Sequence, residues 1–245
     1  MADLNTLHFL KGFTNARIAI GRTGTSIPVT ESLDFKMAHA HARDAVYSSM
    51  DIPGLTAQLA PFNLPVIELH SMAADRAHYL QRPDLGRQLS TQSEDLLAGQ
   101  ITGFDVVICI ADGLSALAIH ENIAGLLDLL IPKLVHANFS LAPICLIQQG
   151  RVAIADGIAE QLQAKLSIVF IGERPGLSAA DSLGAYLTYG PKRGLTDDSR
   201  NCVSNIRAAG LAHEPAASKI FYLIQEAFQR KLSGVLLKDN EGLLR

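Results

Sequence analysis

FDVVICIADGLSALAIHENIAGLLDLLIPKLVHAN, residues 104–138, is the stretch on which the fold turns. It opens on an unbroken apolar run rich in Val and Ile, the pattern of a strand buried on both faces. A long amphipathic helix with room for a bend at Pro132 follows. APICLIQQG (142–150) repeats the strand pattern, VAIADGIAEQLQA (152–164) the helical one, and LSIVFIGE (166–173) supplies a third strand. Strands alternating with helices predict a doubly wound, mainly parallel sheet of the Rossmann-like α/β class, with right-handed crossovers. PAASKIFYLIQEAFQRKLSG predicts a last helix from about Glu214 to Gly234.

Upstream, the spacing of Leu33, Met37, Ala40, Asp44 and Tyr47 predicts a helix from about residue 33 to 50. Thr30 or Ser32 would cap it, and Ile52-Pro53-Gly54 would end it. Its segment AHAHARDAV puts His39 with Arg43 on one face and His41 with Asp44 on another. Histidines one residue apart point in opposing directions and cannot share a metal. That crowded polar surface reads as solvated, or as a docking face for a partner subunit. LPVIELHS reads as a strand or the start of a helix, and Pro83 breaks or begins one. Composition turns small and polar near Gln92 to Gln100, which sets the expected division. Residues 1–98 form a smaller helical N-terminal region with a turn-rich lead-in, and 99–245 form the α/β domain.

With 245 residues, 48% hydrophobic and 18% charged, the chain has ample core material, and its net charge of −3 offers no case for nucleic acid. The apolar run near Ile123 to Val135 is interrupted by Asp128, Pro132 and Lys133 and is too short to span a bilayer. No secretory signal is visible at the N-terminus. Cys109, Cys145 and Cys202, an odd count without CxxC spacing, fit a reduced cytosolic interior.

The turn Ala111-Asp112-Gly113-Leu114-Ser115 has one glycine where a dinucleotide fingerprint needs three, and no P-loop is present. Gly113-Leu114-Ser115-Ala116-Leu117 and Gly176-Leu177-Ser178-Ala179-Ala180 lack the closing glycine of a nucleophile elbow. Ser115 instead reads as a backbone-bonded residue of the first helical turn. Ligands of open α/β sheets bind beyond the carboxyl ends of the strands. Arg151-Val152, Glu173-Arg174 and Arg200-Asn201-Cys202 are each placed where such an end could fall. Glu173 alone reads equally as an ion pair with Arg174 or Arg151 and as a ligand contact. Cys202 alone reads as a small buried apolar residue rather than a reactive thiol.

At these same residues the chain resembles a known family, the small (light) subunit of adenosylcobalamin-dependent ethanolamine ammonia-lyase. The resemblance rests on GRTGTSIPV, LDFKMAHAHARDAV, SMAADRAHYLQRPDLGR, VICIADGLSALAI, QQGRVAIAD, IGERPGLSAADSLGAYLTYGP and RNCVSNIR, in order over roughly residues 17 to 210. It implies an enzyme converting ethanolamine to acetaldehyde and ammonia through radicals started by Co–C homolysis. A large TIM-barrel subunit would hold the substrate and its reacting groups, leaving no catalytic residue here. The small subunit would enclose adenosylcobalamin at the interface of a hetero-oligomer, with contacts carried over to Val152, Glu173 and Cys202. The Asp-x-His-x-x-Gly motif that displaces the cofactor's own base is absent, so this chain would supply no ligand to the cobalt. The extreme N-terminus is short beside members carrying a longer extension. The resemblance further implies a cytoplasmic place, within a bacterial microcompartment. The alternative is a freestanding doubly wound small-molecule-binding module or hydrolase.

Overall fold

The computed structural model describes residues 9–14 and 16–240. The extreme N-terminus, expected to be short for the family, lies outside them. The chain is α/β, with helices α1 (Val29–Tyr47), α2 (Ile52–Leu59), α3 (Arg76–Gln81), α4 (Thr91–Ala98), α5 (Ala116–His136), α6 (Ile154–Gln161) and α7 (His213–Arg230). One six-stranded sheet runs in the order β1-β3-β2-β4-β5-β6. Its strands are β1 (Val66–His70), β2 (Val106–Ala111), β3 (Ile144–Gln148), β4 (Leu166–Gly172), β5 (Leu183–Tyr189) and β6 (Asn201–Ile206).

Alternation along the strands divides the core. Ile108 and Ile110 of β2, with Ile168 and Phe170 of β4, face the apolar sides of α5 and α7. Val107, Cys109, Val169 and Ile171 face Ile154 and Ile158 of α6 and Leu97 of α4. Every residue of β2 and of β4 is buried, as the unbroken apolar runs required.

The mainly parallel expectation meets a mixed sheet. β1, β3, β2 and β4 are parallel neighbours, whereas β4–β5 and β5–β6 pair antiparallel. Connection length is the reason. A parallel return needs a crossover of a dozen or so residues, and residues 173–182 and 190–200 are shorter than that. The segment before residue 99, read as helical, also contributes the edge strand β1, so LPVIELHS resolves as a strand.

Two helix-boundary expectations are corrected. α1 begins at Val29 after Pro28 with no side-chain cap, rather than behind Thr30 or Ser32. Pro53-Gly54 opens α2 instead of closing α1: the Asp51 carboxylate accepts the Gly54 N–H at 3.1 Å, and proline suits a first turn. Ser115 behaves as read. It is fully buried, accepts the Ala118 N–H at 3.2 Å as the cap of α5, and donates to Ala180 O at 2.7 Å. That hydroxyl is committed to structure.

Candidate functional site

The carboxyl ends of β2, β3 and β4 are locked together by backbone. The Asp112 carboxylate, just beyond β2, accepts the N–H groups of Gln149 (3.0 Å) and Gly150 (3.1 Å) beyond β3. Burial raises the Asp112 pKa above the ordinary carboxylate value, opposed by these N–H bonds and by the Arg76 charge. The Leu114 N–H donates to Gly172 O at 2.9 Å, closing β4 against the β2–α5 turn. A side chain at Gly172 would collide with the carbonyls of Ser115 and Asp112, and Gly113 adopts φ +56° beneath it. These glycines let two strand ends touch, leaving an open edge above them.

Above that edge lies a cleft of about 430 Å3, whose lining includes Gly113, Val152, Glu173, Tyr79, Arg151 and Tyr186. Glu173 stands one residue past β4. Its carboxylate accepts the Ser182 hydroxyl at 2.5 Å and the Asn205 N–H at 3.1 Å. Both bonds fall on Oε2, while Oε1 lies toward Gly184, where an added Cβ would sit 3.1 Å from it. The ion pair with Arg174 or Arg151 weighed from sequence is replaced by these two neutral donors. Arg151 is instead stacked on Tyr79, its guanidinium carbon 4.2 Å from the ring centroid, with Arg76 at 4.7 Å. Tyr79 is fully buried and donates to Gly150 O at 3.2 Å. Arg151 Nη2 donates to Tyr79 O at 3.3 Å. Arg151 and Val152 also border a second cavity of about 880 Å3, which reaches Arg87, Arg193 and Asp156. The two hollows share one wall.

Val152 and Glu173 are therefore brought together, half-buried, on the predicted edge. Cys202 is not beyond a strand's carboxyl end. It is the second residue of β6, exposed, and in register with Tyr186 of β5. Its misplacement follows from RNCVSNIR forming an edge strand where a polar turn was expected, which sets Cys202 along the sheet beside β5 and not beyond a strand end. Tyr186 lines the cleft itself and so links the thiol to it. Partial desolvation raises the Cys202 pKa, a hydrogen bond from Tyr186 opposes this, and the Glu173 charge adds to the rise. Desolvation raises the Tyr186 phenol likewise, reinforced by Cys202 and Glu173.

Sequence reasoning missed Arg76, Tyr79, Asp112 and Tyr186. For Tyr186 a signal existed, since LGAYLTY alternates: Leu183, Ala185, Leu187 and Tyr189 share one face, which leaves Tyr186 on the other. For the Tyr79 stack none did, because Arg151 arrives from 72 residues away.

The arrangement offers apolar walls from Leu114, Val152 and Ile171, two tyrosine rings, two arginines and one carboxylate acceptor around an open cleft. Among the described residues, no group of three or more His, Cys, Asp or Glu side chains is placed to hold a metal ion. Fold and edge thus define a class: an α/β protein whose mixed sheet presents an open cleft at the carboxyl edge of its parallel strands. The ethanolamine ammonia-lyase light chain family matches this chain over residues 4–238. A relative from Xanthomonas campestris pv. campestris, an ethanolamine ammonia-lyase small subunit, is 52% identical over 234 residues, covering 94% of this chain and 86% of its own. Small subunits so named from Pseudomonas fluorescens Pf-5 (51%, 94% and 85%) and Pseudomonas syringae pv. tomato (50%, 96% and 83%) are similarly close. The chain belongs to the ethanolamine ammonia-lyase light chain family.

Proposed function

We propose that this chain is the cofactor-enclosing subunit of an adenosylcobalamin-dependent ethanolamine ammonia-lyase, acting with a large TIM-barrel subunit. The observation that carries the reading is the shared wall at Arg151 and Val152, which makes one broad depression of two cavities with Glu173 on its rim. The donor set suits the group. A corrin has a flat apolar face and a periphery of amides, and the cleft pairs Val152, Ile171 and Leu114 with the Glu173 carboxylate. When bound, the cofactor supplies radical chemistry that no side chain of this chain could.

The residues here bind, orient and exclude water. Val152 would offer an apolar contact to the bound group. Glu173, already oriented by Ser182 and Asn205, would accept an amide N–H through its remaining oxygen. Cys202, beside Tyr186, would contribute at the outer margin. Asp112 keeps the rim rigid, so the cleft is preorganised. Ethanolamine and the groups that act on it belong to the partner, and the assembly works in the cytoplasm, inside a bacterial microcompartment.

Reconstitution tests this. The purified chain with adenosylcobalamin alone should produce no acetaldehyde from ethanolamine, and adding the large subunit should give turnover and retention of the cofactor through gel filtration. Turnover by the chain alone, or a two-subunit complex that releases the cofactor freely, overturns the reading.

A further inference from the structure

α1 is built the wrong way round for a helix that belongs to this body alone. Its inward side carries Ala38 and Ala42, half-buried, and Ala45, the only buried residue in the whole helix. Its opposite side carries Val29, Leu33, Met37 and Tyr47, at helical spacing and between 56% and 74% exposed. A helix of this kind gains its stability chiefly from packing an apolar face, and here the large apolar face is turned away from the core. The exposure is also concentrated: more than half of the exposed large apolar side chains among the described residues lie between residues 9 and 47. Phe9 and Phe13, at 66% and 83%, stand just upstream, and Lys11 pairs with Glu31 at 3.4 Å to tie that segment to the helix.

The C-terminal end of this helix is joined to the cleft. Arg76 Nε donates to Val46 O at 2.6 Å, while its Nη1 donates to Gly113 O at 2.8 Å and Gln149 Oε1 at 3.2 Å. Gly113 lines the cleft, and Arg76 stacks on Tyr79 in its wall. One guanidinium therefore connects the last turn of α1, where Tyr47 ends the apolar stripe, to the rim of the cleft.

We infer that α1 is a docking arm for the large subunit: its Val29–Leu33–Met37–Tyr47 stripe seats in an apolar groove of the same partner that closes the cleft. This rests on the reading above, in which a partner covers that edge. The continuity through Arg76 selects that partner over a second copy of this chain, because whatever covers the cleft already reaches the end of the arm. The helix carries acidic Glu31, Asp34 and Asp44 against basic Lys36 and Arg43. So little net charge leaves apolar contact as the main source of affinity.

The test uses the full chain and the purified large subunit of the enzyme, with affinity measured by sedimentation velocity. Leu33→Asp/Met37→Asp should weaken the complex at least about tenfold, as expected when central apolar anchors are lost. The milder Leu33→Ala/Met37→Ala should weaken it in the same direction, and the melting temperature of the isolated chain should stay unchanged in both. Binding of the large subunit at wild-type affinity by both variants overturns the docking arm. So does a wild-type chain that self-associates through this helix, with variants that become monomeric yet still bind the partner normally. If the wild-type chain itself fails to bind the large subunit, the functional reading falls first, and the arm with it.

Discussion

Glu173 is held by a hydroxyl and a backbone N–H, both on one oxygen, at the mouth of a cleft. Such a carboxylate is oriented without being neutralised by a neighbouring cation, so its free oxygen keeps its full strength as an acceptor. A charged hydrogen bond contributes roughly 1.5–3 kcal/mol. Glu173→Gln should therefore weaken cobalamin binding by the assembled enzyme about tenfold or somewhat more. Turnover at saturating cofactor should fall less. The amide oxygen can still accept from Ser182 and Asn205, so the melting temperature should move little. Normal cofactor affinity with a lowered melting temperature would remove Glu173 from the site and leave it a structural residue.

Between elements, a buried ion pair joins α6 to the approach of β6. Arg200 Nη1 and Nη2 meet Asp156 at 2.7 and 2.8 Å, and Nη1 also donates to Thr188 of β5 at 3.1 Å. Burial raises the Asp156 pKa in spite of that pairing, so desolvation outweighs the partner's charge. Arg200→Met leaves an unpaired buried carboxylate and should destabilise the chain by about 3–5 kcal/mol. Adding Asp156→Asn should restore most of this, and denaturant unfolding of the single and double variants checks it. No rescue would mean that Arg200 acts through packing. Elements of this kind also mark how far sequence reading reaches. β2 and β4 were legible because burial on both faces writes itself as an unbroken run of Val and Ile. The antiparallel turn after β4 was written only in connection length, which the apolar pattern of LGAYLTY does not reveal. Val152 and Glu173 follow local signals, a turn before a helix and a carboxylate after a strand. Cys202 depends on its register with Tyr186, a property of two strands and not of either one. Pro53-Gly54 was ambiguous for a different reason, since the same pair ends one helix or begins another according to whether an Asp51 stands ready to cap it.

At the scale of the molecule, the sheet has an edge of ends and an edge of beginnings, and the latter carries its own clasp. The Asp105 carboxylate, just before β2, accepts the Ser140 N–H (2.9 Å) and hydroxyl (2.8 Å) ahead of β3 and the Lys165 ammonium (2.8 Å) ahead of β4. Partial burial pushes its pKa up, but the bonds from Lys165 and Ser140 prevail and hold it below the ordinary 3.8. A carboxylate with a lowered folded pKa stabilises fully above its unfolded value, and that contribution disappears as the pH falls from 3.8 through the folded value. Asp105→Asn should therefore lower stability at neutral pH and flatten the acid limb of the stability curve below about pH 4; parallel pH-dependence in variant and wild type would exclude this role. The mixed sheet has one more consequence, for the order in which the molecule assembles. β4, β5 and β6 are neighbours both in sequence and in space, whereas β1 and β3 must meet across residues 71–143. Closing long loops is entropically expensive and slow, so pulse-labelled hydrogen exchange should find the amides of β5 protected before those of β1. The cleft wall needs Tyr79 and Arg151, 72 residues apart in the chain, already stacked on each other, so the cleft is among the last features the folding chain acquires, and a nascent subunit has no place for a ligand until the rest of it is complete.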